Sequence, residues 1–317
     1  DRRRGDPRAL PGRDGPDPVT TVGRATAGIA SAGAVAWLAG CSALYLRALG
    51  RVGYEGSDPA ATGLTPAPEQ LEVRTAEGLR LLAWHLPGTL PAAVVVSGGN
   101  RGWAGDVLGI ATALQRIGLH VVVHGWRGTP GCDPAPHTLG VHERRDLEAV
   151  LDVTESRLGR LPVGLLGYSL GGAVAIAVAG SDPRVRAVCT DCAFDDPRRV
   201  LGQGVSRTLR IPGAVLSAPV GAVLALRAGA RLSDFRPLES ISRIPPRPLL
   251  IIHGGADGSV PADHARRLHD AAGPRAELWI QPGVGHCGGY DAGREEYVRR
   301  VGDFFRGALR VDTTTNM

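Results

Sequence analysis

A serine in the middle of the chain lies within a short glycine-rich motif. Residues Gly167–Gly171 read Gly-Tyr-Ser-Leu-Gly, which fits the pattern G-x-S-x-G, and Gly172 follows. An apolar run precedes the motif and a run of small residues follows it, which predicts a sharp turn between a buried strand and a helix. Glycine is needed on both sides because a β-carbon there would collide with the turn. The motif predicts that Ser169 is a nucleophile at a helix N-terminus, the alternative being a glycine-rich turn with an incidental serine.

A serine hydroxyl is a weak nucleophile, so the sequence must also supply a base and an acid that orients it. Asp257 lies in a turn just after the apolar run 248–253, and His286 follows a later apolar run among glycines. The order serine, acid, histidine is typical of enzymes with this serine turn. We therefore predict Ser169, Asp257 and His286 as a catalytic triad. The alternatives are a helix-capping aspartate and a surface-loop histidine, and we interpret His253 as structural.

The same chemistry needs two N–H donors for the oxyanion that forms when a serine attacks a carbonyl group. The backbone N–H of Leu170, directly after the nucleophile, is the first candidate. The second is expected in the loop after the apolar run 94–96, where residues 97–102 read Ser-Gly-Gly-Asn-Arg-Gly. We predict the N–H of Asn100, with Gly99 as the alternative.

The elements that must position these residues are strands and helices in alternation from Leu71 onward. This alternation predicts an α/β fold with a doubly wound, mostly parallel sheet. Residues 195–244 interrupt the rhythm with apolar, proline-punctuated helical segments, which indicates a short helical lid inserted between two strands. Strands are predicted at 71–74, 79–86, 92–97, 119–124, 163–166, 185–190, 248–253 and 276–280. Helices are predicted from Asp106, as the cap, to Gly118, and at 141–158, 170–179, 262–272 and 293–309.

The N-terminal part of the chain has a different composition. Residues 1–24 are rich in arginine, aspartate, glycine and proline, which is typical of a disordered tail. Residues 25–46 carry no charge and are long enough to span a bilayer, with an arginine-rich flank that predicts a cytoplasmic N-terminus. We predict a membrane anchor. The alternatives are a cleaved signal segment of a secreted protein, a lipoprotein signal that leaves Cys41 as the lipidated N-terminus, and a buried helix. Residues 47–68 are predicted as a linker, and residues 69–311 as the catalytic domain.

The net charge gives no indication of a nucleic-acid partner. The chain has a net charge of +5, but eight arginines and four aspartates within residues 1–51 account for most of it. A nucleic-acid surface would need a local basic cluster with interleaved aromatic residues, and the predicted catalytic region has none.

These motifs together resemble the α/β-hydrolase superfamily over Leu71 to Leu309. The resemblance rests on Gly-Tyr-Ser-Leu-Gly-Gly, on His-Gly-Gly-Ala-Asp-Gly-Ser-Val-Pro from His253, and on Gly-His-Cys from Gly285. The aromatic-Arg-Gly turn at 126–128 also resembles that family, and its alignment puts Asn100 on the oxyanion position. Gly98 and Gly125 depart from the family pattern, which usually has histidine and aspartate there. The resemblance implies the membrane-anchored, peptidase-like or esterase-like branch.

The cysteines and remaining histidines do not indicate a metal centre or cofactor. His120 and His124 lie on one strand without a carboxylate or cysteine at matching spacing. Cys189 and Cys192 have C-x-x-C spacing but end a strand, so we interpret them as buried and inert rather than redox-active. If the domain is exported, four cysteines could pair in three ways. They are Cys132, Cys189, Cys192 and Cys287.

The sequence therefore predicts a serine hydrolase that cleaves a carboxylic ester, or secondly an amide, without a cofactor or metal. The expected partner is a small-molecule or lipid-like acyl substrate, with the N-terminal segment at the cell membrane and the catalytic domain outside the cytoplasm. Acyl transfer by the same triad is a second hypothesis. A catalytically inactive binding or scaffold protein is the hypothesis from another class.

Overall fold

The computed structural model describes residues 59–100, 105–209 and 213–310, together with positions 33, 36, 37 and 40. The predicted tail, almost all of the hydrophobic segment 25–46 and half of the predicted linker lie outside these residues. Within the part of the chain that is described, no helix combines the length and the apolar character needed to cross a bilayer.

Eight strands form one sheet in the order β1-β2-β4-β3-β5-β6-β7-β8. The first two strands pair antiparallel, β2 pairs antiparallel with β4, and all other pairs are parallel. The prediction of a mostly parallel, doubly wound sheet is confirmed. The strands are β1 (Glu69–Arg74), β2 (Arg80–Leu86), β3 (Ala93–Ser97), β4 (His120–His124), β5 (Val163–Tyr168), β6 (Val185–Asp191), β7 (Leu249–Gly254) and β8 (Ala276–Gln281).

Helices cover both faces of the sheet. The helices are α1 (Gly105–Arg116), α2 (Glu143–Leu158), α3 (Leu170–Ala179), α4 (Pro197–Leu209), α5 (Gly213–Ala228), α6 (Pro237–Ile241), α7 (Asp263–Ala272), α8 (Gly289–Ala292) and α9 (Arg294–Ala308). One apolar cluster joins the sheet to α2, α3 and α7, and a second joins the opposite face to α1 and α9. Because β3, β5 and β7 are buried on both faces, their sequences are continuous apolar runs rather than alternating ones.

Several predicted strands stop one or two residues too early at their carboxyl ends. The sequence interpretation ended β5 at Leu166 and β6 at Thr190, whereas Tyr168 and Asp191 continue the ladder by pairing with each other. Gly254 and Gln281 pair in the same way at the ends of β7 and β8. Polar residues and glycine carry the strands to the edge at which the predicted catalytic residues lie.

Two predicted helix starts are also wrong by a few residues. Asp106 does not cap α1, because the helix already includes Gly105. Helix α2 begins at Glu143 rather than at 141, since the preceding loop contains the positive φ angles of Leu139 (55°) and Gly140 (106°). The Glu143 carboxylate accepts hydrogen bonds from the N–H groups of Thr138 and Gly140 at 2.7 and 2.8 Å, which closes this loop.

The predicted insertion lies between β6 and β7 and contains α4, α5, a 3₁₀ turn at Leu232–Asp234 and α6. Helix α6 packs against α3 and α7. A function of this segment as a lid stays a prediction.

Candidate active site

Ser169 occupies the turn between β5 and α3. Its φ of 50° and ψ of −111° lie outside the conformations that residues with a β-carbon prefer. The two glycines of the motif make this turn possible. A β-carbon at Gly167 would overlap the carbonyl oxygen of Gly171, and one at Gly171 would overlap the carbonyl oxygens of Ser97 and Gly98. The glycine spacing noticed in the sequence therefore has a steric cause.

The structure brings the three predicted triad residues together from three loops. The Nε2 atom of His286 lies 3.0 Å from Ser169 Oγ, and its Nδ1 atom lies 2.6 Å from Asp257 Oδ2. Asp257 Oδ1 accepts hydrogen bonds from the N–H groups of Ser259 and Val260 at 2.7 and 2.8 Å. The acid is thus fixed by its own turn, and it holds the imidazole toward the serine.

The environment of this pair favours an ionised aspartate beside the imidazole. Burial opposes charge on Asp257, but hydrogen bonds with His253 and His286 outweigh it and hold the pKa of Asp257 well below its usual range. Burial also opposes a proton on His286, yet the hydrogen bond with Asp257 raises the pKa of this imidazole. A carboxylate in this position stabilises the imidazolium that forms when a base takes a proton from serine.

His253, which we interpreted as structural, is buried at the end of β7. Its Nε2 atom lies 2.8 Å from the carbonyl oxygen of Val260 and 3.4 Å from Asp257 Oδ2. It therefore braces the turn that carries Asp257.

The loop after β3 packs directly against Ser169. A β-carbon at Gly99 would lie 3.4 Å from the Ser169 β-carbon, so the backbone of this loop approaches the serine closely. Leu170 is the first residue of α3, and the N–H groups of a first helical turn have no partner within the helix. Both predicted donor segments flank the serine. The assignment of the second donor to the N–H of Asn100 stays a prediction.

Sequence reasoning missed the side chains that hold the loop after β3. The indole N–H of Trp126 donates a 3.0 Å hydrogen bond to the carbonyl oxygen of Gly98. Ser97 Oγ lies 2.8 Å from His124 Nε2, and the other ring nitrogen of His124 donates to the Gly125 carbonyl oxygen at 3.1 Å. A tryptophan and a histidine within three residues at a strand end are a signal for this brace, but only the strand pairing shows which loop they reach.

The departure from the family pattern at Gly125 has a steric counterpart. A β-carbon at this position would lie 2.7 Å from Cys132 Sγ and 2.8 Å from Thr129 Oγ1. An aspartate therefore does not fit here without movement of the turn that follows.

The inserted segment is joined to α7 through a buried carboxylate that sequence reasoning did not identify. Asp195 and His264 are both fully buried, and His264 Nδ1 lies 2.6 Å from Asp195 Oδ1. The other carboxylate oxygen accepts from Arg199 and Arg267 at 2.7 and 2.6 Å. Burial alone would raise the pKa of Asp195, but these partners lower it to about 2. The start of the insertion is thus held beside the turn that carries Asp257.

The described apolar side chains of α5 pack largely within the insertion. Val220, Val223 and Leu224 are buried with Leu232 in a small cluster, whereas Leu226 is 80% exposed. These buried side chains thus pack the inserted segment on itself.

The four cysteines of the described region are thiols rather than disulfides. Cys189 and Cys192 are buried, and Cys132 and Cys287 are half-buried. Burial raises the pKa of the Cys189 thiol well above its ordinary value, and a hydrogen bond with Cys287 together with burial raises that of Cys192. These directions do not correspond to a C-x-x-C redox pair, which needs an acidic thiol.

No protein-family model matches the chain. An uncharacterized protein of Mycobacterium tuberculosis is 32% identical over 243 residues, covering 73% of this chain and 76% of that protein. The uncharacterized protein YfhR of Escherichia coli is 26% identical over 253 residues, covering 76% and 81%. These relatives share most of the chain and carry no assigned activity in their names.

Solved structures with the same fold include enzymes. The Pyrococcus furiosus esterase Pf2001 is similar with a TM-score of 0.67 and 19% identity, covering 81% of this chain and 98% of that one. The esterase domain of a Rhodothermus marinus protein is similar with a TM-score of 0.57 and 23% identity, covering 76% and 99%. At these identities the likeness establishes the fold.

Proposed function

We propose that this chain, which belongs to the group of the uncharacterized Mycobacterium tuberculosis protein and has the fold of the Pyrococcus furiosus esterase, is a serine hydrolase acting on carboxylic esters. The observation that supports this proposal is the unbroken run of short distances from Ser169 Oγ through His286 to Asp257. The backbone conformation of Ser169 costs conformational free energy, and such strained residues cluster at active sites.

The first half of the reaction forms an acyl-serine. His286 Nε2 accepts the Ser169 proton while Oγ attacks the ester carbonyl carbon, and Asp257 stabilises the resulting imidazolium. The N–H groups of Leu170 and Asn100 donate to the oxyanion. When the tetrahedral intermediate collapses, the ester C–O bond breaks and His286 returns the proton to the departing alcohol.

The second half releases the acid. Water gives a proton to His286 and attacks the acyl carbon through a second tetrahedral intermediate. The bond to Ser169 Oγ then breaks, and the serine recovers its proton from His286. All proton transfers in this scheme pass through His286 Nε2. The proposed reaction therefore uses no cofactor.

A fluorophosphonate probe tests whether Ser169 is an activated nucleophile. We expect the folded wild type to be labelled at Ser169, and the Ser169→Ala variant to be unlabelled. Ser242→Ala removes an exposed hydroxyl outside the site and should label like the wild type. A wild type that does not react, or a Ser169→Ala variant that reacts equally, would favour a binding or scaffold protein with this fold.

The acyl group accepted by the enzyme is best found with a panel of substrates. p-Nitrophenyl esters of increasing chain length, compared with aminoacyl amides, separate short-chain esterase, lipid-like and peptidase activities. We expect esters to be cleaved with a higher kcat/KM than amides, because an alcohol leaves more readily than an amine. Faster cleavage of the amides would instead indicate that peptides are the preferred substrates.

Acyl transfer is a second candidate. The acetyltransferase component of an acetoin-cleaving system in Pseudomonas putida is 26% identical over 270 residues. The same acyl-serine could pass its acyl group to an alcohol or amine in place of water. Product analysis with and without an added acceptor distinguishes the two, since only a transferase forms the new ester or amide in preference to the free acid.

We also propose that residues 25–46 attach the enzyme to the cell membrane with the catalytic domain outside the cytoplasm. The support is the uncharged length of this segment and its arginine-rich flank. Detergent phase partitioning of the full chain and of a variant without residues 1–50 tests this, and equal partitioning of the two would contradict it.

A further inference from the structure

Two thiols lie beside the proposed base, and the mechanism uses neither. The nearest donor atoms of Cys192, His286 and Cys287 all lie within 4.8 Å of one another. Cys192 is buried, whereas His286 and Cys287 are half-buried. The cluster thus opens toward the edge of the site, and a small ion can reach it without passing through the core.

The local backbone fixes the positions of both sulfurs. Cys192 directly follows β6 and Cys287 directly follows the base, and both residues have positive φ angles, of 55° and 53°. The backbone N–H of Cys287 donates to Cys192 Sγ at 3.2 Å. Neither φ angle is favoured by a residue with a β-carbon, so the fold holds the two sulfurs together against a local conformational cost.

Two sulfurs and an imidazole form a donor set that suits Zn²⁺. A tetrahedral zinc ion has Zn–S distances of about 2.3 Å and Zn–N distances of about 2.0 Å, so its donors are spaced by roughly 3.5 to 3.8 Å. Small side-chain rotations bring donors within 4.8 Å to that spacing. Two thiols that each lose one proton balance the charge of the ion, and a neutral cluster is easier to bury than a charged one.

We propose that Cys192, Cys287 and His286 form an inhibitory site for Zn²⁺ or a similar thiophilic divalent cation. Binding converts two thiols and one aqueous divalent ion into a metal dithiolate and two released protons. The ion takes a lone pair of His286. At Nε2 it replaces the contact with Ser169, and at Nδ1 it replaces the contact with Asp257. In both cases the imidazole can no longer serve as an oriented base, so occupancy stops acylation.

Binding of the ion depends on these three side chains alone, whereas its inhibitory effect rests on the proposed function. The two parts therefore need separate measurements. Cd²⁺ is a suitable probe for the first part because cadmium thiolates absorb in the ultraviolet. The protein is the full chain, freed of metal and reduced with a phosphine.

In the binding experiment, Cd²⁺ is titrated into the wild type and into Cys287→Ser and Cys192→Ala. We expect saturation at one ion per chain in the wild type, and an affinity at least about 10-fold lower in each variant. Cys132→Ser is the matched control, because it removes a half-buried thiol at another place, and it should bind like the wild type. Cys287→Ser tests the site independently if Cys192→Ala does not fold.

Equal Cd²⁺ affinity in the wild type and in Cys287→Ser would overturn the site. So would a thiol titration showing that Cys192 and Cys287 have formed a disulfide in the phosphine-treated protein, since a disulfide cannot supply two thiolates. A loss of affinity in Cys132→Ser as large as in Cys287→Ser would show adventitious thiol binding only.

In the inhibition experiment, fluorophosphonate labelling of Ser169 is measured with and without Zn²⁺. We expect labelling of the wild type to fall as the site fills and to return after addition of a chelator, and Cys287→Ser to need at least about 10-fold more Zn²⁺. Undiminished labelling at saturating Zn²⁺ overturns the inhibitory role. If the metal-free wild type is not labelled at all, the proposed hydrolase function fails while the Cd²⁺ titration still decides the site.

Discussion

At the scale of single residues, the candidate site depends on how Asp257 is held. Both oxygens of its carboxylate are engaged, one by two backbone N–H groups and the other by His286. The side chain is fully buried, so water does not compete for the imidazole. An acid in this position sets the tautomer and the direction of the ring rather than taking the proton itself.

Replacing the acid with its amide should therefore impair catalysis far more than substrate binding. In Asp257→Asn we expect kcat for an ester to fall by roughly 10²- to 10⁴-fold with little change in KM, because the amide favours the wrong tautomer of His286. Steady-state kinetics on a p-nitrophenyl ester measures both parameters. Asp291→Asn, an exposed site on α8, is the control and should keep the wild-type kcat. A kcat for Asp257→Asn within a factor of two of the wild type would remove this residue from the mechanism.

At the scale of elements, the turn between β5 and α3 and the loop after β3 form one interlocked unit. Gly171, in the first turn of α3, leaves no room for a β-carbon beside the carbonyl oxygens of Ser97 and Gly98. The indole N–H of Trp126 donates a hydrogen bond to the same Gly98 carbonyl oxygen. The nucleophile and the proposed oxyanion loop are thus positioned against each other by packing and by one hydrogen bond.

Two helical glycines provide a matched test of this packing. Gly171→Ala should lower the free energy of unfolding by about 1 to 3 kcal/mol, because one of the two backbone segments must move to make room for the β-carbon. Ester hydrolysis should fall as well, since the same movement displaces Ser169 or the loop after β3. Gly307→Ala, in α9, meets nothing within 4 Å and should be neutral or stabilising by about 0.5 to 1 kcal/mol. Denaturant unfolding measures both. If the two variants show the same change in stability, the close approach at Gly171 is not the cause.

Trp126→Phe tests the brace on the loop after β3. The phenyl ring keeps most of the packing but cannot donate to the Gly98 carbonyl oxygen. If this hydrogen bond positions the oxyanion donors, kcat should fall by about 10-fold while KM changes little. A 10-fold fall corresponds to a rise of roughly 1.4 kcal/mol in the activation free energy. Trp279→Phe changes a half-buried tryptophan on the edge strand β8 and should leave kcat unaltered. A rise in KM without a fall in kcat would instead indicate that Trp126 acts on substrate binding.

At the scale of the whole molecule, neutral histidines in the interior couple stability to pH. His124 is fully buried on β4, and burial lowers its pKa to about 4 from 6.5. Its Nε2 atom has to accept from Ser97 Oγ while Nδ1 donates to Gly125, an arrangement that only the neutral ring can make. The unfolded chain takes up a proton below pH 6.5 that the native protein refuses until about pH 4.

The free energy of unfolding therefore falls as the pH is lowered from about 6.5 to about 4. Below that range His124 is protonated in both states and no longer changes the stability. We expect His124→Asn to be less stable at neutral pH, because of the lost packing, but to lose about 2 to 3 kcal/mol less than the wild type between pH 7 and pH 4.5. Urea unfolding at several pH values measures the difference. Burial also lowers the pKa values of His137 and His142. Their effect on stability is the same in both proteins, so it cancels in the difference between the two pH curves. Parallel pH curves for the two proteins would show that His124 does not titrate as argued.

Much of this arrangement was open to prediction from the sequence, because it depends on short-range rules. Local strand signals located all eight strands, and the errors lay at the strand ends. Tyr168 and Asp191, for example, pair beyond the predicted ends of β5 and β6. The nucleophile turn was predictable because the steric need for glycine at 167 and 171 is local. Asp257 and His286 could be named from their places after strands, although their contact with Ser169 had still to be observed.

The fold class, the residue at the turn and the candidates for acid and base could be read from the amino-acid sequence, since each follows from periodicity, glycine sterics and chain order. Which strand ends become neighbours is visible only in the order of the strands within the folded sheet. That order brings Cys287 to Cys192 across 95 residues, Asp195 to His264 across 69, and Trp126 to the Gly98 carbonyl across 28. The physical reason is that a strand's own residues set its length and burial, whereas its position in the sheet is set by packing against elements far away in the chain. Contacts between loops at the sheet edge follow from that position.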